Sequence, residues 1–217
     1  MAAVKDETSL RLALVECGKA LVEKGLVLGT WGNISVRPYE KCMLTTPSGL
    51  DYLRLTPEDM VKVSIDNLEY EGDKKPTSEK GLHAAIYKKR GDIGAVIHTH
   101  SKYCSVFAAA HKDMPVIEEY REIFGDVIPL AGYALPGTKK LMKNTASAVG
   151  DGYGAVMSNH GMITCGKDLD TAFENCARLE DNGKKYLDGG LSDPIPIEKA
   201  IADGCDKNIV ILTREKG

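Results

Sequence analysis

The stretch Ala95-Val96-Ile97-His98-Thr99-His100 is an apolar run that closes on two histidines two positions apart. A short unbroken run of this kind reads as a buried strand, and in a strand residues i and i+2 leave the same face. His98 and His100 would then present two imidazoles side by side at a strand end, within reach of one ion. A catalytic zinc site takes three protein ligands and keeps one position open, so the pair calls for a third donor. Ser158-Asn159-His160-Gly161 offers it: His160 sits in a short turn between the apolar runs Ala155 to Met157 and Met162 to Cys165, a hairpin able to return an imidazole to the first strand. The same three histidines can equally be strand-end side chains held by backbone hydrogen bonds, since His-x-His also occurs without metal.

Immediately upstream, Pro76-Thr77-Ser78-Glu79 starts a helix expected to run to about Arg90. The hydroxyls of Thr77 and Ser78, with the free N–H groups of a first helical turn, suit an anion. Glu79 falls in that turn, where a carboxylate complements the helix dipole. It reaches the histidines only if this helix and the His98 strand are antiparallel neighbours. His83 lies four residues on, on the same helix face, and reads as a neutral histidine packed beneath the site.

Two further turns are rich in small hydrogen-bonding residues. Gly29-Thr30-Trp31-Gly32-Asn33 opens into the strand Ile34 to Arg37, and Thr45-Thr46-Pro47-Ser48-Gly49 follows the strand Cys42 to Leu44. Glycines let backbone N–H groups approach an anion, with Thr30 and Asn33 adding side-chain donors. Such residues serve turn geometry as readily as ligand binding.

The remaining elements read as scaffold. A helix from about Leu10 to Lys24, capped by Thr8 or Ser9, stops at Gly25. Thr56-Pro57-Glu58-Asp59 is a capped turn, and Val61 to Ile65 with Leu68 to Glu71 form a hairpin about Asp66-Asn67. Beyond His100 the pattern predicts a helix over Ser101 to Ala110, with His111 solvated at its end. Met114 to Gly125 is read as a surface loop or short helix, and Val127 to Leu130 as a strand. Helices follow from Thr138 to Val149 and from Leu169 to Leu187, then a short strand at Ile209 to Leu212.

At 217 residues the chain is long enough for a full core and is read as one domain over residues 1–217. A formal charge of −3, with basic and acidic residues interspersed, provides no basic stripe and argues against nucleic acid as a partner. The polar start, Met1 to Ser9, and the lack of any membrane-length apolar run predict a cytoplasmic protein with no membrane partner. Six scattered cysteines without a C-x-x-C pair suggest reduced thiols.

Taken together and in order, Gly29-Thr30-Trp31-Gly32-Asn33-Ile34-Ser35, Thr46-Pro47-Ser48-Gly49, Thr77-Ser78-Glu79, His98-Thr99-His100 and Ser158-Asn159-His160-Gly161 make the chain resemble the class II aldolase and adducin-head family, from about Leu10 to Leu187. The resemblance implies an α/β fold: a single three-layer α/β/α domain with a largely antiparallel central sheet. It also implies a homotetramer with active sites between subunits. It assigns Zn2+, or another divalent metal, to His98, His100 and His160, with Glu79 as acid and base that also contacts the metal when substrate is absent. The three turns become one phosphate pocket built from Thr30, Gly32, Asn33, Ser48, Gly49, Thr77 and Ser78.

Epimerising relatives usually carry aspartate where this chain has Glu79, so the glutamate favours the aldolase branch, closest to L-fuculose-phosphate aldolase. The segment Ile128 to Leu141 leans the same way. The implied reaction is reversible cleavage of a ketose 1-phosphate, such as L-fuculose 1-phosphate, into dihydroxyacetone phosphate and an aldehyde such as L-lactaldehyde. Tyr120 lies near the family's loop tyrosine and is the candidate for proton transfer at the aldehyde oxygen; the family's C-terminal tyrosine has no match in Ile197 to Gly217. A sugar-phosphate 4-epimerase and a non-catalytic scaffold like the adducin head are the alternatives. The latter shares the fold but lacks the metal residues.

Overall fold

The computed structural model describes residues 6–187. In chain order the strands are β1 (Asn33–Tyr39), β2 (Cys42–Thr45), β3 (Val61–Ser64), β4 (Ala95–Thr99), β5 (Met114–Pro115), β6 (Val127–Ile128), β7 (Leu130–Ala131), β8 (Gly154–Met157) and β9 (Gly161–Gly166). The helices are α1 (Glu7–Glu23), α2 (Lys80–Lys89), α3 (Lys102–Ala110), α4 (Arg121–Phe124), α5 (Lys139–Val149) and α6 (Leu169–Leu187). Seven strands form one sheet in the order β3-β2-β1-β4-β9-β8-β7, and β5 pairs with β6 apart from it. Every pairing is antiparallel except β7 with β8.

β4 lies at the centre, buried along its whole length, which is why its sequence is an apolar run instead of an alternation. Ala95 and Ile97 face one core with Leu14, Leu21, Ile34, Met162 and Leu179, under α1, α3 and α6. Val96 faces the opposite core with Leu82, Ile86, Leu141, Ala155 and Ile163, under α2 and α5. The result is the three-layer α/β/α arrangement with a mostly antiparallel sheet that the resemblance implied. His98 continues the Val96 face, so it points toward α2.

Several local expectations shift. Asp6, not Thr8 or Ser9, caps α1: its carboxylate accepts from Thr8 N at 2.8 Å and Ser9 Oγ at 3.0 Å, so the helix starts earlier. Gly25 ends it as expected, at φ +68°. Glu79 is the residue preceding α2, whose regular turns begin at Lys80. The Val127–Leu130 strand is broken by Pro129, which has no N–H to give a ladder; β6 then pairs with β5 and β7 with β8. Within Met114 to Gly125, β5 precedes a 3-10 turn at Glu118–Tyr120 and the short α4. The second arm of the Asp66-Asn67 hairpin shrinks to one bridge, Val63 to Tyr70, because Leu68 turns left-handed at φ +64°. His111 is exposed and left-handed at the end of α3. The strand expected at Ile209 to Leu212 lies outside the described residues.

Gly166 closes β9 directly against α6, where an added Cβ would overlap the Ala172 amide nitrogen and lie 2.9 Å from Thr171 backbone carbon. Backbone atoms cannot yield as a side chain end can. Gly166→Ala is therefore expected to lower the urea midpoint by an amount equivalent to about 1–3 kcal/mol with the slope unchanged, measured by circular dichroism.

Candidate active site

Two segments of the chain bring the histidines together. His98 is the penultimate residue of β4, His100 follows Thr99 at the junction with α3, and His160 tops the β8–β9 hairpin. Their ligating nitrogens lie within 4.8 Å of one another. The hairpin reaches in because Asn159 adopts a left-handed φ of +54°, which asparagine tolerates, and because Gly161 has no Cβ to collide with the Thr99 carbonyl.

Glu79 joins them from the start of α2. Its Oε2 lies 3.1 Å from His98 Nε2 and its Oε1 3.0 Å from His160 Nε2. Asn33 fixes the carboxylate, donating from Nδ2 to Oε2 at 2.9 Å, while its Oδ1 meets His83 Nε2 at 2.5 Å. The other His83 nitrogen meets Ser35 Oγ at 2.7 Å. Asn33 can do this because β1 pairs with β4 in a register that sets it opposite His98. His83 thus lies fully buried beneath the site as a brace.

The protonation states follow from burial. His98 Nδ1 is 2.7 Å from the Met162 carbonyl, which can only accept, so the ring proton sits on Nδ1 and Nε2 presents a lone pair. Burial pushes His98 down to about 4 and His83 to about 3, and also lowers His100. Burial alone would raise the Glu79 carboxyl; its histidine neighbours and the Asn33 amide outweigh that and hold it well below the usual carboxylate range. The outcome is neutral His98 and His83 rings beside an ionised carboxylate.

That donor set fits a cation. With its proton on Nδ1, His98 turns the lone pair of Nε2 to a Glu79 carboxylate oxygen at 3.1 Å, two electron pairs that repel unless something positive lies between them, and His100 Nε2 stands 2.9 Å from the same nitrogen. Glu79 Oε1 is buried and, despite its short distance to His160, makes no aligned hydrogen bond. A proton-free His98 Nε2, with the Met162 carbonyl bracing the far ring nitrogen, beside an ionised carboxylate is what a divalent ion requires.

The three turns also converge. Gly32, at φ +102°, lies so close to β4 that a Cβ would sit 2.8 Å from the His98 carbonyl oxygen. Thr46 N donates to Ile34 O and Thr77 N to Thr46 O, both at 3.0 Å, and Ser48 N donates to Lys75 O at 2.9 Å. Thr30, Ser48, Gly49 and Ser78 are exposed, whereas Thr77 is buried with Oγ1 accepting from Glu79 N. The peptide N–H groups of Ser48 and Thr77 are thus committed between turns, and Asn33 has one amide hydrogen committed to Glu79.

Tyr120 is placed differently. Its hydroxyl donates to Asp181 Oδ2 at 2.6 Å and its ring faces the Lys185 ammonium, both on α6; burial and the Asp181 bond push it up to about 12. Sequence reasoning missed the Asn33 bridge and the Met162 carbonyl. Both depend on strand register, which no local pattern carries. It also gave no role to Trp31, whose exposed indole lies 6.1 Å from the His100 ring, centre to centre.

Comparison with known proteins places this arrangement. The family described as Class II Aldolase and Adducin N-terminal domain matches residues 12–187. The chain belongs to that family. It is 34% identical over 171 residues to the 5-deoxy-D-ribulose 1-phosphate aldolase of Bacillus thuringiensis serovar kurstaki, covering 78% of this chain and 80% of that one. It is 31% identical over 194 residues to the L-fuculose phosphate aldolase of Escherichia coli K12, covering 88% and 89%. A solved structure of an L-fuculose 1-phosphate aldolase superposes with a TM-score of 0.81 at 32% identity, covering 93% and 97%. The chain is an enzyme of the class II aldolase type, a metal-dependent class of lyases. Among the described residues no helix is long and apolar enough to cross a membrane.

Neutral burial of His83 has a consequence for stability. Its pKa is depressed from 6.5 to about 3 on folding, so the unfolded chain binds the extra proton, and stability falls as pH drops from about 6.5 toward 3. Thermal melts between pH 7 and 4 are expected to show a shallower loss of Tm in His83→Gln than in the wild type.

Proposed function

We propose that this enzyme reversibly cleaves a ketose 1-phosphate into dihydroxyacetone phosphate and an aldehyde. The proposed substrate is L-fuculose 1-phosphate or a close analogue such as 5-deoxyribulose 1-phosphate. The observation that carries this is the convergence of His98, His100 and His160 with the Glu79 carboxylate, beside three joined turns suited to an anion. The names of the similar aldolases support the same substrate class.

The three histidines would hold zinc, or another divalent ion, with Glu79 beside it. Such an ion, when bound, stabilises the negative charge that develops on the ketose oxygens as the carbon–carbon bond breaks. Glu79 handles the proton at the carbon that becomes the hydroxymethyl group of dihydroxyacetone phosphate. In condensation the carboxylate removes it, and in cleavage the carboxylic acid returns it. The Asn33 bond to Oε2 holds the group in place and leaves Oε1, the oxygen without an aligned hydrogen bond, as the one to carry the proton.

Phosphate would be held by the exposed hydroxyls of Thr30, Ser48 and Ser78 and by the backbone of Gly32 and Gly49, with Asn33 and Thr77 fixing the turns from below. Neutral oriented donors suit a dianion without a basic patch. Tyr120 remains the candidate for the aldehyde oxygen, in an assembly that brings it to a site. The same reading takes residues 1–217 as one domain of a cytoplasmic homotetramer with sites at subunit interfaces. Exposed Leu28, Trp31, Leu50 and Leu53 around the first two turns support such an interface.

The test is a coupled assay for dihydroxyacetone phosphate release from a panel of ketose 1-phosphates. Release is expected from at least one member, abolished by chelator and restored by zinc. Glu79→Gln is expected to cut kcat by about 10²–10⁴-fold. No release from any member in the presence of metal would overturn the aldolase reading and favour epimerisation.

A further inference from the structure

His100 is the least supported member of the histidine set. His98 is locked in the sheet and braced by Met162, and the His160 backbone is closed in its turn by a bond from its N to Met157 O at 3.0 Å. His100 follows the last residue of β4, is exposed, and precedes the first residue of α3 by two positions. Its placement depends on how that junction is held. Ser101, the residue that should cap α3, makes no side-chain cap to its own helix.

The cap comes from across the fold instead. Glu180 on α6 accepts from Ser101 Oγ at 2.7 Å, from Tyr103 N at 2.8 Å and from Cys104 N at 3.0 Å. Both carboxylate oxygens are used, and two of the first-turn amides, those of Tyr103 and Cys104, find their acceptor there. The neighbouring backbone is equally close: a Cβ on Gly183 would lie 3.2 Å from Tyr103 Cβ.

We infer that Glu180 is a positioning residue for His100, fixing the β4–α3 junction so that the His100 ring meets His98 and His160. The inference rests on the reading of His100 as a metal ligand. Loss of the carboxylate frees the first turn of α3 and lets His100 leave the set while His98 and His160 stay.

The experiment measures Co2+ affinity of the purified full chain by competition with a chromophoric chelator, together with the visible spectrum of the Co2+ form. It compares wild type, Glu180→Ala, Glu180→Gln, Ser101→Ala and His100→Ala, with Asp6→Ala as a distant helix-cap control for stability alone. Glu180→Ala is expected to weaken Co2+ binding by about 10–100-fold and to change the spectrum. Glu180→Gln, which keeps acceptor oxygen, should recover part of the loss, Ser101→Ala should give a smaller loss, and Asp6→Ala none. If Glu180→Ala or, should that variant not fold, Glu180→Gln binds Co2+ with wild-type affinity and spectrum while His100→Ala does not, the inference fails and the metal site stands. If His100→Ala also binds as the wild type does, the reading of His100 as a ligand fails, and the inference with it.

Discussion

The antiparallel pairing of β1 with β4 is the constraint on which the site depends. It sets Asn33 opposite His98 and Ser35 opposite Val96, so one face of two central strands carries Asn33, Ser35 and His98 toward α2. Most of the polar atoms on that face are then bound: His83 between Asn33 and Ser35, Tyr87 to Ser35 at 2.8 Å, and Glu79 Oε2 to Asn33. Such a buried network specifies one arrangement, because any slip by one residue would send these groups to the opposite core and leave them unpaired.

Burial and charge pull in opposite directions here. The sheet centre excludes water from His98 and His83, which keeps both imidazoles neutral, and the carboxylate remains ionised because the histidines and the Asn33 amide outweigh its burial. The protonation pattern needed for metal coordination is thus a property of where β4 lies, set before any ion arrives. The cost is electrostatic: lone pairs and a carboxylate are held at close range, and an ion relieves that repulsion.

Much of this was readable from local pattern. The apolar run before His98 announced a central strand, the histidine spacing announced a shared face, and Pro76-Thr77-Ser78 announced the start of the helix that carries Glu79. What local pattern could not carry was pairing. That Asn33 would hold Glu79, or that Glu180 would cap α3, is a statement about residues 46 and about 76–79 positions apart in the chain. Small failures had local causes that were underweighted: Asp6 outcompetes Thr8 and Ser9 because its two oxygens serve both, and Pro129 interrupts a strand whose composition is otherwise favourable.

The β8–β9 hairpin that carries His160 closes a turn of four residues, whereas His98 meets Met162 across 64. Local closure is fast and cheap in entropy, and distant closure is neither. His160 therefore sits on a unit able to form early, while the platform it meets exists only once the sheet has assembled. A partly folded chain holds at most fragments of the site, so the histidine cluster is complete only when the whole sheet is.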